Sequence, residues 1–420
     1  MMNHKRLLAQ LIGLTFLLFL LVACGKIEPT PTPVPPTARP APVSLTSTPI
    51  TTNTPSSRGP DYWPTDGWRS SAPEEQGMDS EMLAKMFESI EQQNYDIHSV
   101  TIIRNGYIVA DATIYPFEWD SKHQIHSVTK SISSALVGIA IDQGYIENVN
   151  QPVLSLFPNR LVSNNDANKE AMTLEHLLTM TTGLECRDSY LYRWRGLDDM
   201  MQSDDWVQHV LDLPMVEQPG SSFEYCNGAS FLLSAIIQET TGMTAAEFAE
   251  INLFDPLGIS DVVWPSNPRG VSIGWGGLRM QPRDMAKIGY LYLNEGRWEG
   301  KQIISPAWVD ASTSKHIDAT LADGYGYQWW TTNEGHYFAL GYAGQYIFVA
   351  PELEMVTVIT SNFSEGDFRA AGRLLEFFIL PAVKSDSPLP PNPGGFDTLE
   401  ARIQNAALAQ SEPEPIPPLP

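Results

Sequence analysis

Ser127-Val128-Thr129-Lys130-Ser131-Ile132-Ser133-Ser134-Ala135-Leu136-Val137-Gly138-Ile139-Ala140 is the stretch on which the reading of this chain turns. Ile132, Ala135, Leu136, Ile139 and Ala140 recur on one helical face and Gly144 is a natural stop, so the spacing predicts a helix over 127–144. At its start stands an S-x-x-K, which places a hydroxyl and an amine on one face within reach of each other. A serine needs a base to attack, and lysine serves as one only where burial or nearby cations lower its pKa. The apolar run from Ile132 onward offers such burial, and the positive helix end favours negative charge at the serine. The plainer alternative is that Ser127 only caps the helix.

Outward from this helix the pattern is mixed. Upstream, Asp79 and Ser80 can cap a helix with Met82, Leu83, Met86, Phe87 and Ile90 on one face, and two β-rich runs, 100–103 and 107–112, meet at the hairpin signal Asn105-Gly106. Downstream, helical patterns cover 173–180, 204–213, 229–241, 244–251 and 282–294. Strand signals return at 325–331, 346–350 and 356–360, the last two joined by a turn over 351–354, before a closing helix from about 367 to 380. Strands at both ends with helices between predict an α+β fold: an antiparallel sheet from both chain ends, flanked by helices, with a mostly helical inserted region.

The second chemical element is Tyr225-Cys226-Asn227, between the turn Pro219-Gly220 and the helix from Ala229. A phenol of depressed pKa can relay a proton, and a nearby amide can orient substrate and lysine. Each box has a look-alike. Ser312-Thr313-Ser314-Lys315 is followed by His316-Ile317-Asp318 and reads as loop, while Tyr292-Leu293-Asn294 ends an amphipathic helix and reads as packing. The chain has no G-x-S-x-G elbow, no H-E-x-x-H, and eight histidines without ligand spacing, so neither an α/β-hydrolase triad nor a zinc peptidase is indicated and no metal site is expected. Asp198-Asp199 reads as a solvated loop, Asp204-Asp205 as a helix start, His126 as a structural hydrogen-bonder, and Trp329-Trp330 as core or as wall of a substrate pocket.

With 420 residues, 26 Lys+Arg against 49 Asp+Glu, a net charge of −23 and 43% hydrophobic residues, the chain is globular in composition and a nucleic-acid partner is excluded. Ten of the 33 prolines fall in 24–60, ten in 381–420 and 13 between, so the body is expected over 61–380 with a Pro-rich tail at 381–420, where 399–409 can form a short helix. At the N-terminus a basic patch, an apolar stretch and Leu21-Val22-Ala23-Cys24 read as an export signal over 1–23 and resemble the bacterial lipobox. The uninterrupted apolar run, 11–23, falls short of the roughly 20 residues of a membrane span. Cys24 is then the expected lipidation site, anchoring the protein to the outer face of a bacterial membrane, with the Pro/Thr-rich 24–60 as an extended spacer.

In order, the S-x-x-K near 130, the Y-x-N near 225 and a Gly-rich strand edge near 344 resemble the penicillin-recognising serine hydrolases. They are closest in pattern to the class C β-lactamase-related branch with its esterases, D-amino-acid peptidases and 6-aminohexanoate-dimer hydrolases. His126-Ser127-Val128-Thr129-Lys130-Ser131, Thr173-Leu174-Glu175-His176-Leu177-Leu178 and Gly341-Tyr342-Ala343-Gly344-Gln345 carry the likeness, which spans about 68–383. It implies a β-lactamase/transpeptidase-like fold and an acyl-enzyme hydrolase of small esters or amides that needs no cofactor. Ser127 would be the nucleophile, Lys130 with Tyr225 the acid–base pair, Asn227 the holder of the substrate amide, and the backbone N–H groups of Ser127 and Gln345 an oxyanion hole.

The third box departs from the family's Lys-Thr-Gly: here it is Tyr342-Ala343-Gly344. The missing cation argues for neutral or apolar acyl groups, unless Tyr342 merely packs in the core, while Gly344 keeps a close backbone approach possible. Rival readings are a β-lactamase or D-alanyl peptidase, and a binding or sensor module without turnover. Cys186 and Cys226 are either two buried small residues or a disulfide.

Overall fold

The computed structural model describes residues 62–188, 194–364 and 370–408; the export signal, Cys24 and the spacer lie outside them. Seven antiparallel strands form the central sheet: β1 (Ile97–Arg104), β2 (Tyr107–Thr113), β3 (Gly324–Tyr325), β4 (Trp330–Thr331), β5 (Tyr337–Gly341), β6 (Gln345–Ala350) and β7 (Met355–Ser361). Their order, β2-β1-β7-β6-β5-β4-β3, joins the two ends of the chain at the β1–β7 pair. The β1–β2 turn has φ of 51° at Asn105 and 81° at Gly106, the left-handed pair that a two-residue hairpin demands.

Alternation along the strands divides the core into two layers. Tyr346, Phe348 and Ala350 face one side with the buried residues of α1 (Ser80–Gln92), whose Asp79 cap accepts from the Met82 N–H at 3.2 Å. Ile347, Val349, Val356 and Val358 face the other side, in the layer of α2 (Val128–Asp142), of α3 (Asn227–Thr241), which packs on α2, and of α4 (Pro282–Leu293), which packs on the sheet. A one-faced pattern was expected for α2, yet 128–140 are all buried. The helix runs through the middle of the larger layer, and part of its polar side is satisfied internally: Ser131 donates to the Gln328 carbonyl at 2.6 Å and Ser133 to the Gly274 carbonyl at 2.9 Å, whereas the Thr129 and Ser134 hydroxyls are buried without a partner among the described residues.

Three expectations need correction. The strand expected over 325–331 is broken into β3 and β4, because Gln328 takes φ 65° and spends its side-chain N–H groups on the carbonyls of Leu177 and Leu178. No strand was expected at β5, although its Tyr337-Phe338-Ala339-Leu340 is the short apolar run of a buried strand. The tail is more structured than its prolines suggest: Asn392 caps a helix over Pro393–Ala406 that packs on α1 with Leu399 fully buried, so the folded body continues past 380.

Candidate active site

Two parts of the chain bring Ser127 and its neighbours together. His126 sits at φ 47°, an uncommon conformation for a non-glycine residue, and directs the chain into α2. Ser127 stands at the helix cap position without making a cap hydrogen bond; instead its Oγ lies 3.1 Å from Lys130 Nζ. The simple capping role is thereby removed. Lys130 is 1% exposed, and its Nζ donates to Asn227 Oδ1 at 2.8 Å and to the Trp275 carbonyl at 2.7 Å. Burial pushes its ammonium down to about 7, against a smaller upward pull from Asp188. A neutral amine has two N–H groups and one lone pair. Asn227 and Trp275 take the N–H groups, leaving the lone pair for the Ser127 hydroxyl.

The second part is the start of α3. Tyr225 lies just before it with its ring 4.9 Å from Lys130 Nζ. Burial raises its phenol well above the ordinary value, partly offset by the nearby Ser127 hydroxyl; this is opposite to the depressed phenol expected from sequence. At neutral pH the lysine is therefore the group able to accept a proton, and the tyrosine is a neutral donor. Cys186 and Cys226 form a disulfide, resolving that pair of alternatives. It ties the segment that carries Asp188 to the cap of α3, where Asp188 Oδ2 accepts from the Asn227 N–H at 2.7 Å.

The third box forms the β5–β6 turn and is pressed against the start of α2. A Cβ on Gly341 would stand 2.4 Å from the Ile125 carbonyl, so this is the glycine whose smallness lets the sheet edge reach the Ser127 segment. Gly344, expected in that role, is at φ 91° and instead needs its smallness against Ser361 and Phe363 behind the turn. The Gln345 side chain is buried, donating to the Ser361 carbonyl at 2.5 Å and the Tyr342 carbonyl at 3.2 Å, which braces the turn. Tyr342 is 50% exposed with its ring edge-on to His126 at 5.6 Å, so it stands at the site and does not pack in the core. Trp330 is buried, stacked 6.4 Å from Tyr225, whereas Trp329 packs on Tyr292 in the core.

Sequence reading missed three contributors. The Trp275 carbonyl comes from Gly274-Trp275-Gly276-Gly277, whose glycine density was the available signal. Gln328 links Ser131, Ser230 and the Leu174–Leu178 helix behind the site, and Asp188 supports Asn227; neither has a local signature. Asp198 and Asp199 lie on a helix, Arg195–Gln202, where a loop was expected, and Asp205 caps the next.

A fold of helices on both faces of an antiparallel sheet, with Ser, Lys and Tyr converging at the sheet edge, defines a class of serine hydrolases. The Beta-lactamase family matches residues 83–378, and the chain belongs to it. It is 25% identical over 293 residues to 6-aminohexanoate-dimer hydrolase of Paenarthrobacter ureafaciens, covering 64% of this chain and 73% of that protein. Esterase EstB of Burkholderia gladioli is 26% identical over 175 residues, covering 39% of this chain and 44% of its own. The octameric penicillin-binding protein homologue from Pyrococcus abyssi shares the fold with a TM-score of 0.57 at 19% identity, over 74% of this chain and 78% of that one. The protein is thus a serine hydrolase of the β-lactamase fold, related to esterases and amidases.

Proposed function

We propose that the protein hydrolyses small neutral esters or amides through a Ser127 acyl-enzyme. Lys130 takes the hydroxyl proton as Ser127 Oγ bonds to the substrate carbonyl carbon, and Tyr225, kept neutral, passes a proton to the departing alcohol or amine. Water then repeats the sequence in reverse, releasing the acid and restoring the serine. Asn227 orients Lys130 and the substrate, and backbone N–H groups of Ser127 and Gln345 receive the oxyanion, each such donor contributing on the order of 10²–10³ in rate. The observation that carries this reading is Lys130: fully buried, with both partner carbonyls engaged and its remaining valence directed at Ser127 Oγ 3.1 Å away.

The exposed Tyr342 in place of a lysine favours esters and amides over β-lactams, whose carboxylate has no cation to meet there. Steady hydrolysis of p-nitrophenyl acetate after an initial burst, with nitrocefin turned over far more slowly, is expected. Nitrocefin turnover equal to ester turnover would favour the β-lactamase reading instead, and a burst with no steady phase would favour a sensor.

Export and lipid anchoring at Cys24 belong to the same proposal. Besides the lipobox-like tetrapeptide, the Cys186–Cys226 disulfide supports an oxidising compartment. Cys24→Ser should release the protein from the membrane fraction; unchanged fractionation would remove the anchor.

A further inference from the structure

Asp188 has no place in the acyl-transfer steps above, yet it is 2% exposed and lies one residue behind the catalytic groups. Burying a carboxylate costs several kcal/mol unless it is compensated. The compensation here is specific but partial. Its Oδ2 accepts from the Asn227 N–H at 2.7 Å and the Cys186–Cys226 bond holds its segment against the cap of α3, while Oδ1 is buried without a hydrogen-bond partner among the described residues. Asn227 is therefore gripped from both ends, by Asp188 at its backbone and by Lys130 at its side-chain oxygen, 2.8 Å away.

The groups facing Lys130 are few. From α3 and the segment before it come the neutral amide of Asn227 and the ring of Tyr225; from the glycine-rich loop, the Trp275 carbonyl; from its own side, Ser127 and His126, whose imidazole burial and Lys130 keep neutral. Among the described residues Asp188 is the carboxylate that acts on Lys130. Burial, which lowers Lys130, raises the Asp188 carboxyl to about 6, and each charge acts on the other across Asn227.

We propose that Asp188 is a positioning residue of this hydrolase: it fixes Asn227 behind Lys130 and supplies a negative charge that raises the pH at which Lys130 becomes a proton acceptor. This rests on the reading of Lys130 as the base. It makes Asp188 a regulator of the working pH range, not a group that touches substrate.

The sign follows from the charges. Protonated Lys130 cannot accept from Ser127, so kcat/KM falls as pH drops through about 7. A nearby carboxylate stabilises the ammonium, so removing its charge moves that fall to lower pH. The test is the pH profile of kcat/KM for p-nitrophenyl acetate in the full-length protein. Asp188→Asn keeps an acceptor for the Asn227 N–H and loses the charge; its acid limb should shift down by roughly half to one pH unit, with the plateau changed less than about tenfold. Asp188→Glu should return the limb toward wild type. If Asp188→Asn does not fold, Asp188→Ser, smaller and still an acceptor, serves the same comparison. A limb that stays in place in the uncharged variant, even one of lowered melting temperature, overturns the proposal and leaves Asp188 a structural residue. A wild type without any acid limb is a different failure, since it removes Lys130 as the base.

Discussion

Residues 127–130 and 312–315 carry the same residue types at the same spacing and meet opposite surroundings. Ser127 opens α2, and the apolar helix that follows draws Lys130 into the core, where its amine turns back on the serine. Ser312 comes at the end of the Pro306–Thr313 helix, not in the loop expected for it, and spends its hydroxyl on the Val309 carbonyl at 3.1 Å. Lys315 is past the helix end, half-exposed, and pairs with Asp318 at 2.5 Å. A lysine so placed is surrounded by water and its partner is a carboxylate. Spacing brings a serine and a lysine within reach; burial makes the lysine a base.

The strongest way to break the comparison is to exchange its members. Ser127→Ala or Lys130→Ala should cost on the order of 10⁴–10⁶ in kcat on a neutral ester, whereas Lys315→Ala, a surface change, and Ser312→Ala, which removes a buried hydroxyl bonded to its own helix, should leave kcat within about twofold. Equal losses in both segments would mean that burial is not what separates them. A smaller loss, about 10²–10⁴, is expected for Tyr225→Phe, which removes the acid–base hydroxyl while leaving the ring beside Lys130. Circular dichroism should show an unchanged fold, and unaltered turnover would move proton delivery elsewhere, with His126 the nearest remaining group.

The smallest effect concerns the turn that faces Ser127. Tyr342 is half-exposed, so Tyr342→Lys should fold normally. Its new cation, partly screened by water, is worth about 0.2–1 kcal/mol to a substrate carboxylate, at most about fivefold in kcat/KM. Comparing a neutral with a carboxylated ester of equal size in both proteins measures it. An unaltered ratio would show that this position does not read the substrate.

What was legible in the sequence was what depends on neighbours along the chain. The S-x-x-K, the Y-x-N, the Asn105-Gly106 hairpin and the Asp79 cap are all local, and each appears where its pattern placed it. The direction of the Tyr225 shift was not legible, because it depends on how much protein covers the phenol. Nor were Asp188, Gln328 and the Trp275 carbonyl, which act from 39, 98 and 145 residues away on Asn227, Ser230 and Lys130. Gly341 takes the role expected of Gly344 for a similar reason: the two flank the same turn, and only the packing of Ile125 against one and Phe363 against the other distinguishes them.

The central claim is that Ser127, and not another serine, carries the acyl group. Labelling the full-length protein with a fluorophosphonate and mapping the modified peptide by mass spectrometry tests it most directly. The label is expected on Ser127 alone, to disappear in Ser127→Ala and to persist in Ser312→Ala. Labelling of Ser127→Ala to the wild-type extent, or a label mapped to Ser312, would contradict the account.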